Sequence, residues 1–174
     1  MKKTLFIITV LITFSLTAQE KSIAKKDQDG NLIGYIKKVS LLDKSYSKWF
    51  TKNYDAYKTD KKIIRKIKKK LKKYTIKGFF GTWCGDSKRE VPRFYKILEE
   101  AAFDMNRLEM IALNRSKKTL DSLQKGYDII RVPTFIFYKH GKETGRFVEY
   151  PVESLEKDML KILTTETYKH SYQE

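Results

Sequence analysis

The chain has 174 residues, of which 41% are hydrophobic and 13% aromatic, and its 37 lysines and arginines against 21 acids give a formal charge of +16. Its one cysteine, Cys84, excludes a fold held together by internal disulfides. The sequence contains neither a glycine-rich phosphate loop nor a nucleophilic-serine motif, which excludes those two classes of enzyme.

The N-terminus has the layout of a secretory signal peptide. Two lysines precede an apolar run over residues 5–16, and small and polar residues follow it. We expect residues 1–19 to be cleaved off near Ala18 or Gln19, which removes two lysines and no acid and lowers the charge from +16 to +14. The alternative is an uncleaved anchor, although the run is shorter than the roughly 20 apolar residues of a membrane span. No lipoprotein cysteine follows the run, so we expect a periplasmic or secreted protein without a transmembrane segment after cleavage.

Residues 20–41 form a polar N-terminal extension. A turn-forming segment at 27–31 contains Gly30 and precedes an apolar stretch at 32–36, which predicts a β-hairpin. The segment at 41–57 is rich in aromatic residues and is typical of short helical or irregular structure.

A strongly basic amphipathic helix is predicted over residues 59–74. Nine of the thirteen residues from Lys61 to Lys73 are basic. The apolar positions recur at helical spacing: Ile63, Ile64, Ile67, Leu71 and Tyr74. The basic face is either a patch for an anionic surface or partner, or simply a solvated surface. We favour the solvated surface and expect no nucleic-acid partner, because an exported protein rarely meets nucleic acid.

Strands and helices alternate along the rest of the chain. Residues 74–80 predict a buried strand, and an amphipathic helix with Pro92 inside it follows Cys84. The further expected elements are a strand at 108–113, a short helix at 116–127, strands at 134–138 and 143–148, and a helix at 152–163. This order predicts one three-layer α/β domain over residues 42–164, with a central mixed sheet flanked by helices. A polar tail at 165–174 has no functional interpretation.

Three short motifs share the spacing of one known family: Trp83-Cys84-Gly85 at a strand-to-helix junction, Pro92 eight residues after the cysteine, and Val132-Pro133-Thr134 before an apolar strand. The chain resembles the thioredoxin family over about residues 42–163. More narrowly, it is similar to exported members of the Bacteroidetes type. The resemblance implies a cis peptide bond between Val132 and Pro133 that faces the cysteine, and substrate binding along Val132, Pro133 and Thr134.

The active-site motif departs from that family in three places. Ser87 replaces the second cysteine, Asp86 stands where a proline is common, and Gly78 stands where thioredoxins carry a buried acid for proton transfer. With a single thiol, the motif Cys84-Gly85-Asp86-Ser87 cannot form an internal disulfide. A dithiol redox cycle is therefore excluded.

The remaining thiol is expected to be a nucleophile. Cys84 lies at a helix N-terminus, whose partial positive charge favours thiolate over thiol. Lys88 and Arg89 add to this support, Asp86 opposes it, and the Ser87 hydroxyl could donate to the sulfur. The alternative is that Cys84 is an ordinary small core residue.

The preferred functional hypothesis is a monothiol thiol–disulfide oxidoreductase. Cys84 would form mixed disulfides with exported proteins or small thiols, and an outside thiol would release the product. One alternative is a non-redox peptide-binding or chaperone module that uses a groove between Trp83 and Pro133. The other is a thiol peroxidase or an oxidation sensor.

The ligands expected at this site are thiols and disulfides, with no cofactor and no metal. His140 in a turn and His170 in the tail do not give a metal-ligand spacing with one cysteine. Lys88, Arg89 and Arg93 are expected along the rim of the site, which suggests an acidic or glutathione-like partner.

Overall fold

The computed structural model describes residues 24–164 and 167–173 of the chain. The predicted signal peptide, residues 1–19, lies outside these ranges. Within them, no helix is long and apolar enough to cross a membrane.

The described residues form a sheet and a set of helices. The strands are β1 Lys25–Lys26, β2 Leu32–Ile36, β3 Tyr74–Phe80, β4 Leu108–Ala112, β5 Thr134–Lys139 and β6 Lys142–Val148. The α-helices are α1 Ser47–Ala56, α2 Lys61–Leu71, α3 Gly85–Glu100 and α4 Leu155–Thr164. Short 3-10 helices at Lys38–Leu42 and Met105–Arg107 lead into α1 and β4.

The strands form one mixed sheet in the order β1-β2-β4-β3-β5-β6. β3 and β4 run parallel, with α3 in the connection between them, and the other neighbouring pairs are antiparallel. β1 and β2 pair as a hairpin around the turn at Gly30, whose φ of 78° suits a glycine. The predicted fold class, an α/β domain with a mixed sheet and packed helices, is confirmed.

Successive residues of the central strands face two apolar clusters on opposite sides of the sheet. On one side, Phe80 of β3 and Phe135 of β5 pack with buried residues of all four helices. On the other side, Phe79 of β3 packs with Ile111 of β4 and Ile136 of β5. Because both faces of the central strands are covered, these strands read as nearly continuous apolar runs.

The basic helix α2 forms where the sequence places it. Its buried residues, Ile64, Ile67 and Leu71, lie on one side, and its lysines are exposed. The Asp60 carboxylate accepts hydrogen bonds from the backbone N–H groups of Lys62 at 2.7 Å and of Ile63 at 3.2 Å. An aspartate cap of this kind fixes the start of a helix.

The helix predicted over residues 116–127 is wrong, because this segment forms a series of turns. Lys117 has a φ of 57°, which lies outside the range of a right-handed helix. The Thr119 hydroxyl oxygen accepts the backbone N–H of Leu123 at 2.8 Å, and such side-chain bonds compete with helical ones. The loop still covers one face of the sheet, since Leu123 and Tyr127 pack against the cluster around Phe79.

Candidate active site

The structure places Cys84 at the junction of β3 and α3. Cys84 is the N-cap of α3, with an extended backbone (φ −84°, ψ 131°), and is partly exposed. Its N–H donates to the carbonyl of Gly81 at 3.0 Å, and its own carbonyl accepts from the N–H of Lys88 at 3.0 Å. A side chain at this position stands beside the free N–H groups of the first helical turn. Cys84 is partly exposed and also packs against the apolar cluster around Phe79.

The loop before β5 lies directly opposite the cysteine. The Val132–Pro133 peptide bond is cis, which confirms the expectation from the family resemblance. The Cys84 thiol donates to the carbonyl oxygen of Val132, with Sγ and the oxygen 3.2 Å apart. Thr134 holds this loop through its hydroxyl, which donates to the carbonyl of Arg131 at 2.7 Å.

Trp83 closes one side of the cysteine turn. Its indole N–H donates to the carbonyl oxygen of Leu113 at 2.9 Å, which ties the turn to the end of β4. A Cβ atom added at Gly81 would lie 2.5 Å from the Trp83 ring. Only glycine therefore fits at position 81 with the indole in this position.

Ser87 lies inside the protein, and its hydroxyl makes no hydrogen bond to the Cys84 sulfur among the described residues. Its side chain is fully buried, and its hydroxyl oxygen accepts the N–H of Gly81 at 3.2 Å. The hydrogen bond expected from Ser87 to the sulfur does not form; the thiol of Cys84 is bonded to Val132 instead.

The position of the missing acid is filled by apolar groups. A Cβ atom added at Gly78 would lie 2.3 Å from Sδ of Met110 and 3.2 Å from a ring carbon of Phe135. Gly78 leaves space that the Met110 thioether occupies, so no carboxylate stands at position 78.

The comparisons with known proteins agree with this geometry. A thioredoxin family model matches residues 35–163, which is most of the chain. The chain belongs to the thioredoxin family. As a member of that family it keeps the tryptophan, the first cysteine and the cis-proline, and it lacks the second cysteine.

Individual relatives are distant. The thioredoxin-like protein R548 of Acanthamoeba polyphaga mimivirus is 32% identical over 83 residues, which are 48% of this chain and 58% of that protein. Thioredoxin-2 of Saccharomyces cerevisiae is 35% identical over 79 residues, 44% of this chain and 67% of that protein. The match thus spans less than two thirds of the mimivirus protein.

One solved structure is similar to this chain in its fold but not in its sequence. The crystal structure of PA1234, a protein of unknown function from Pseudomonas aeruginosa, has a TM-score of 0.53 at 13% identity. The likeness covers 70% of this chain and 85% of that one.

The charges near this thioredoxin-family site differ from the expected pattern. Arg89 pairs with Asp86 at 2.7 Å and with the buried carboxylate of Glu90 at 2.6 Å, and Arg93 pairs with the same carboxylate at 3.1 Å. Burial raises the pKa of Glu90 in spite of both arginines. Arg89 and Arg93 are thus engaged with acids of their own helix. Lys88 is partly exposed and makes no ion pair to the described residues, so it is the better candidate for thiolate support.

Two other arginines at the site were missed by the sequence reasoning. The guanidinium of Arg115 lies 5.7 Å from the centre of the Trp83 ring, and Arg131 directly precedes Val132 in the cis-proline loop. Arg131 could have been predicted to lie near the site, because it directly precedes the Val132-Pro133 motif in the sequence. The contact of Arg115 with Trp83 could not have been predicted, because it depends on how the loop after β4 folds.

The described residues contain no group of three His, Cys, Asp or Glu side chains that could hold a metal ion. His140 is exposed in the turn between β5 and β6. His170 is partly buried in the tail, on the side of Arg146.

Proposed function

We propose that this chain is a monothiol thiol–disulfide oxidoreductase of the thioredoxin family, which forms mixed disulfides through Cys84 with exported proteins or small thiols. The observation that carries the proposal is the contact between the Cys84 thiol and the Val132 carbonyl, 3.2 Å apart. It unites a partly exposed thiol, a helix N-terminus and a cis-proline loop at one point. A buried structural cysteine would need none of these three.

The exchange reaction uses one protein sulfur. The Cys84 thiolate attacks one sulfur of a disulfide, a bond forms between these two sulfurs, and the other half of the disulfide leaves as a thiolate. Because Ser87 has no sulfur, a second thiol from solution or from the substrate must attack the mixed disulfide. That attack returns the Cys84 thiolate and leaves a new disulfide on the partner, so the protein gains or loses no electrons over one cycle.

The Val132 backbone supports docking of the substrate. In an extended segment that lies along the cis-proline loop, a backbone N–H group would reach the Val132 carbonyl in place of the thiol. Trp83 forms the opposite wall of this groove, fixed by its bond to Leu113. The partner would be an exported protein or a small thiol in the periplasm or outside the cell, as proposed from the signal-peptide pattern at residues 1–19 and the similarity to exported Bacteroidetes-type members.

A non-redox binding or chaperone module is the second candidate. The observation in its favour is the apolar filling behind the cysteine, where Met110 occupies the space next to Gly78. No acid stands at position 78, where thioredoxins carry one for proton transfer, and the groove between Trp83 and Pro133 could hold a peptide without any chemistry.

The rate of mixed-disulfide formation separates the two candidates. The folded protein and the same chain in urea are mixed with bis(hydroxyethyl) disulfide, an uncharged probe, and the adduct is followed by intact mass. The monothiol proposal expects a faster rate in the folded protein and no adduct after Cys84→Ala. If the folded thiol reacts no faster than the unfolded one, the exchange function is wrong and the groove is a binding scaffold.

A further inference from the structure

Two arginines are associated with the residues that neighbour the Cys84 sulfur, one through Trp83 and one through Val132. Arg115 stacks on Trp83, the residue before the cysteine, at 5.7 Å from guanidinium carbon to ring centre. Arg131 precedes Val132, whose carbonyl meets the sulfur, and its guanidinium carbon lies 5.3 Å from the centre of the Tyr172 ring. Each guanidinium therefore lies over an aromatic ring, that of Trp83 for Arg115 and that of Tyr172 for Arg131.

Both arginines keep their hydrogen-bond donors free. Arg115 and Arg131 are exposed, and neither makes an ion pair or a side-chain hydrogen bond within the described residues. In contrast, Arg89 and Arg146 donate to carboxylates of their own elements. A guanidinium held by an aromatic face is oriented in advance and still presents a planar set of donors that matches a carboxylate.

The C-terminal tail fixes the position of Arg131. The Tyr172 hydroxyl is hydrogen-bonded to the Glu149 carboxylate, and the Ser171 hydroxyl donates to the carbonyl of Tyr150 at 3.1 Å. Glu149 in turn donates its N–H to the carbonyl of Pro133 at 2.7 Å. The ring beneath Arg131 is thus tied to the cis-proline loop itself.

We propose that Arg115 and Arg131 are paired carboxylate receptors, and that the substrate of Cys84 is a small disulfide with a carboxylate on each side of its S–S bond. This inference rests on the proposed function and adds the substrate class. One carboxylate binds Arg115 beside Trp83 and the other binds Arg131 beside the cis-proline loop, which places the S–S bond over Cys84. The strongly basic chain draws such an anion toward the site.

The chemical step is the thiol–disulfide exchange already described, with a disulfide that carries two carboxylates. The Cys84 thiolate bonds to the sulfur of one half, and the other half leaves as a carboxylate-bearing thiolate. The leaving thiolate takes a proton from solvent, and a further small thiol restores Cys84. No other oxidant or reductant takes part.

Three disulfides of similar size test the charge preference: dithiodipropionate (anionic), bis(hydroxyethyl) disulfide (neutral) and cystamine (cationic). Each rate is divided by the rate of the same chain unfolded in urea, which removes differences between the leaving thiols. The relative rate is expected to be highest for the anionic disulfide, intermediate for the neutral one and lowest for the cationic one. Arg115→Gln and Arg131→Gln should each lower the ratio of anionic to neutral rate about fivefold, the upper range for an exposed ion pair.

Arg65→Gln is the matched control, since Arg65 is an exposed arginine on α2 without an ion pair to the described residues. The receptor proposal is wrong if Arg65→Gln slows the anionic probe as much as the two site variants do. It is also wrong if Arg115→Gln and Arg131→Gln slow all three disulfides equally. Tyr172→Ala should lower the ratio of anionic to neutral rate as Arg131→Gln does, and Tyr172→Phe, which keeps the ring but loses the bond to Glu149, should lower it less. An unchanged ratio in Tyr172→Ala overturns the positioning role of the tail.

A binding measurement separates this inference from the proposed function. Thiodipropionate, a thioether that cannot exchange, is titrated into Cys84→Ser and its binding followed by NMR. Binding that is weakened by Arg115→Gln and by Arg131→Gln supports the receptors even if exchange fails. Exchange with the neutral disulfide, together with no binding of thiodipropionate and no charge preference, removes the receptors and leaves the monothiol function intact.

Discussion

The thiol of Cys84 donates a hydrogen bond to the carbonyl oxygen of Val132, across 3.2 Å, and so joins the start of α3 to the cis-proline loop. Only the protonated thiol can donate this bond. When the proton leaves, the Val132 carbonyl loses its donor and becomes available to the backbone N–H of a docked segment. Deprotonation of Cys84 and the proposed docking of a substrate would therefore involve the same carbonyl oxygen.

A resolving thiol can be restored at position 87. In the wild-type protein, the adduct of Cys84 with bis(hydroxyethyl) disulfide should persist until an outside thiol is added. In Ser87→Cys, the introduced thiol should attack the Cys84 sulfur, expel the small thiol and leave an internal disulfide. Intact mass would follow loss of the adduct. Ser87→Ala, which removes the hydroxyl without adding a thiol, should keep the adduct, and an equally stable adduct in Ser87→Cys would contradict the prediction.

Gly78 is required by the packing of Met110. The added methyl of Gly78→Ala would lie 2.3 Å from Sδ of Met110, so we expect the free energy of unfolding to fall by about 1–3 kcal/mol, as for other overpacked cores. The loss is limited because the thioether is flexible. Urea denaturation measures it.

Gly85→Ala is the matched control for Gly78, because nothing lies within 4 Å of the Cβ position there. It should not destabilise the protein and could stabilise it, since alanine is the better helix former. The double variant Gly78→Ala with Met110→Ala should lose less than the sum of its single variants. Full additivity would show that Met110 is not what excludes a side chain at position 78.

The indole of Trp83 holds the cysteine turn against β4. Trp83→Phe keeps an aromatic ring but leaves the carbonyl of the buried residue Leu113 without its donor. The expected loss in free energy of unfolding is about 1 kcal/mol. Trp49→Phe is the control, because the Trp49 indole makes no hydrogen bond within the described residues; an equal loss in both variants would argue against the Leu113 bond.

The central part of the fold could be predicted because its signals are local and repeat. The period of Ile64, Ile67 and Leu71 gave the buried side of α2, and the apolar run at 74–80 gave β3. The opposition of Cys84 and Pro133 followed from the resemblance, because their motifs are far apart in the chain.

The remaining features depend on contacts that spacing does not reveal. The segment at 116–127 has helical spacing, but the Thr119 hydroxyl takes up a backbone N–H there and turns result. Arg89 reads as a cation beside the thiol, yet Glu90, which the fold buries, holds it on its own helix. The Tyr172 ring contacts Arg131 only because the tail packs back beside the cis-proline loop, and the sequence does not show this.

Docking of the tail should depend on pH through His170. The Nδ1 atom of His170 accepts the N–H of Tyr172 at 3.2 Å, so the imidazole must be neutral for this bond to form. Burial, helped by the positive charge of Arg146, lowers the pKa of His170 from its ordinary value of 6.5. A lowered histidine pKa means that the contribution to docking is present above about pH 6.5 and is lost as the pH falls through the lowered pKa.

Removal of the C-terminal residues by a carboxypeptidase measures this docking. Trimming past Tyr172 should be faster at acidic than at neutral pH in the wild-type protein, relative to His170→Gln at the same pH. The reference variant corrects for the pH dependence of the protease, and its glutamine can accept the same N–H at every pH. His140 is present in both proteins and cannot produce a difference between them. A ratio of trimming rates that stays constant with pH would mean that His170 does not control the tail, whereas a ratio that rises on acidification would connect protonation of His170 to the release of the ring that holds Arg131.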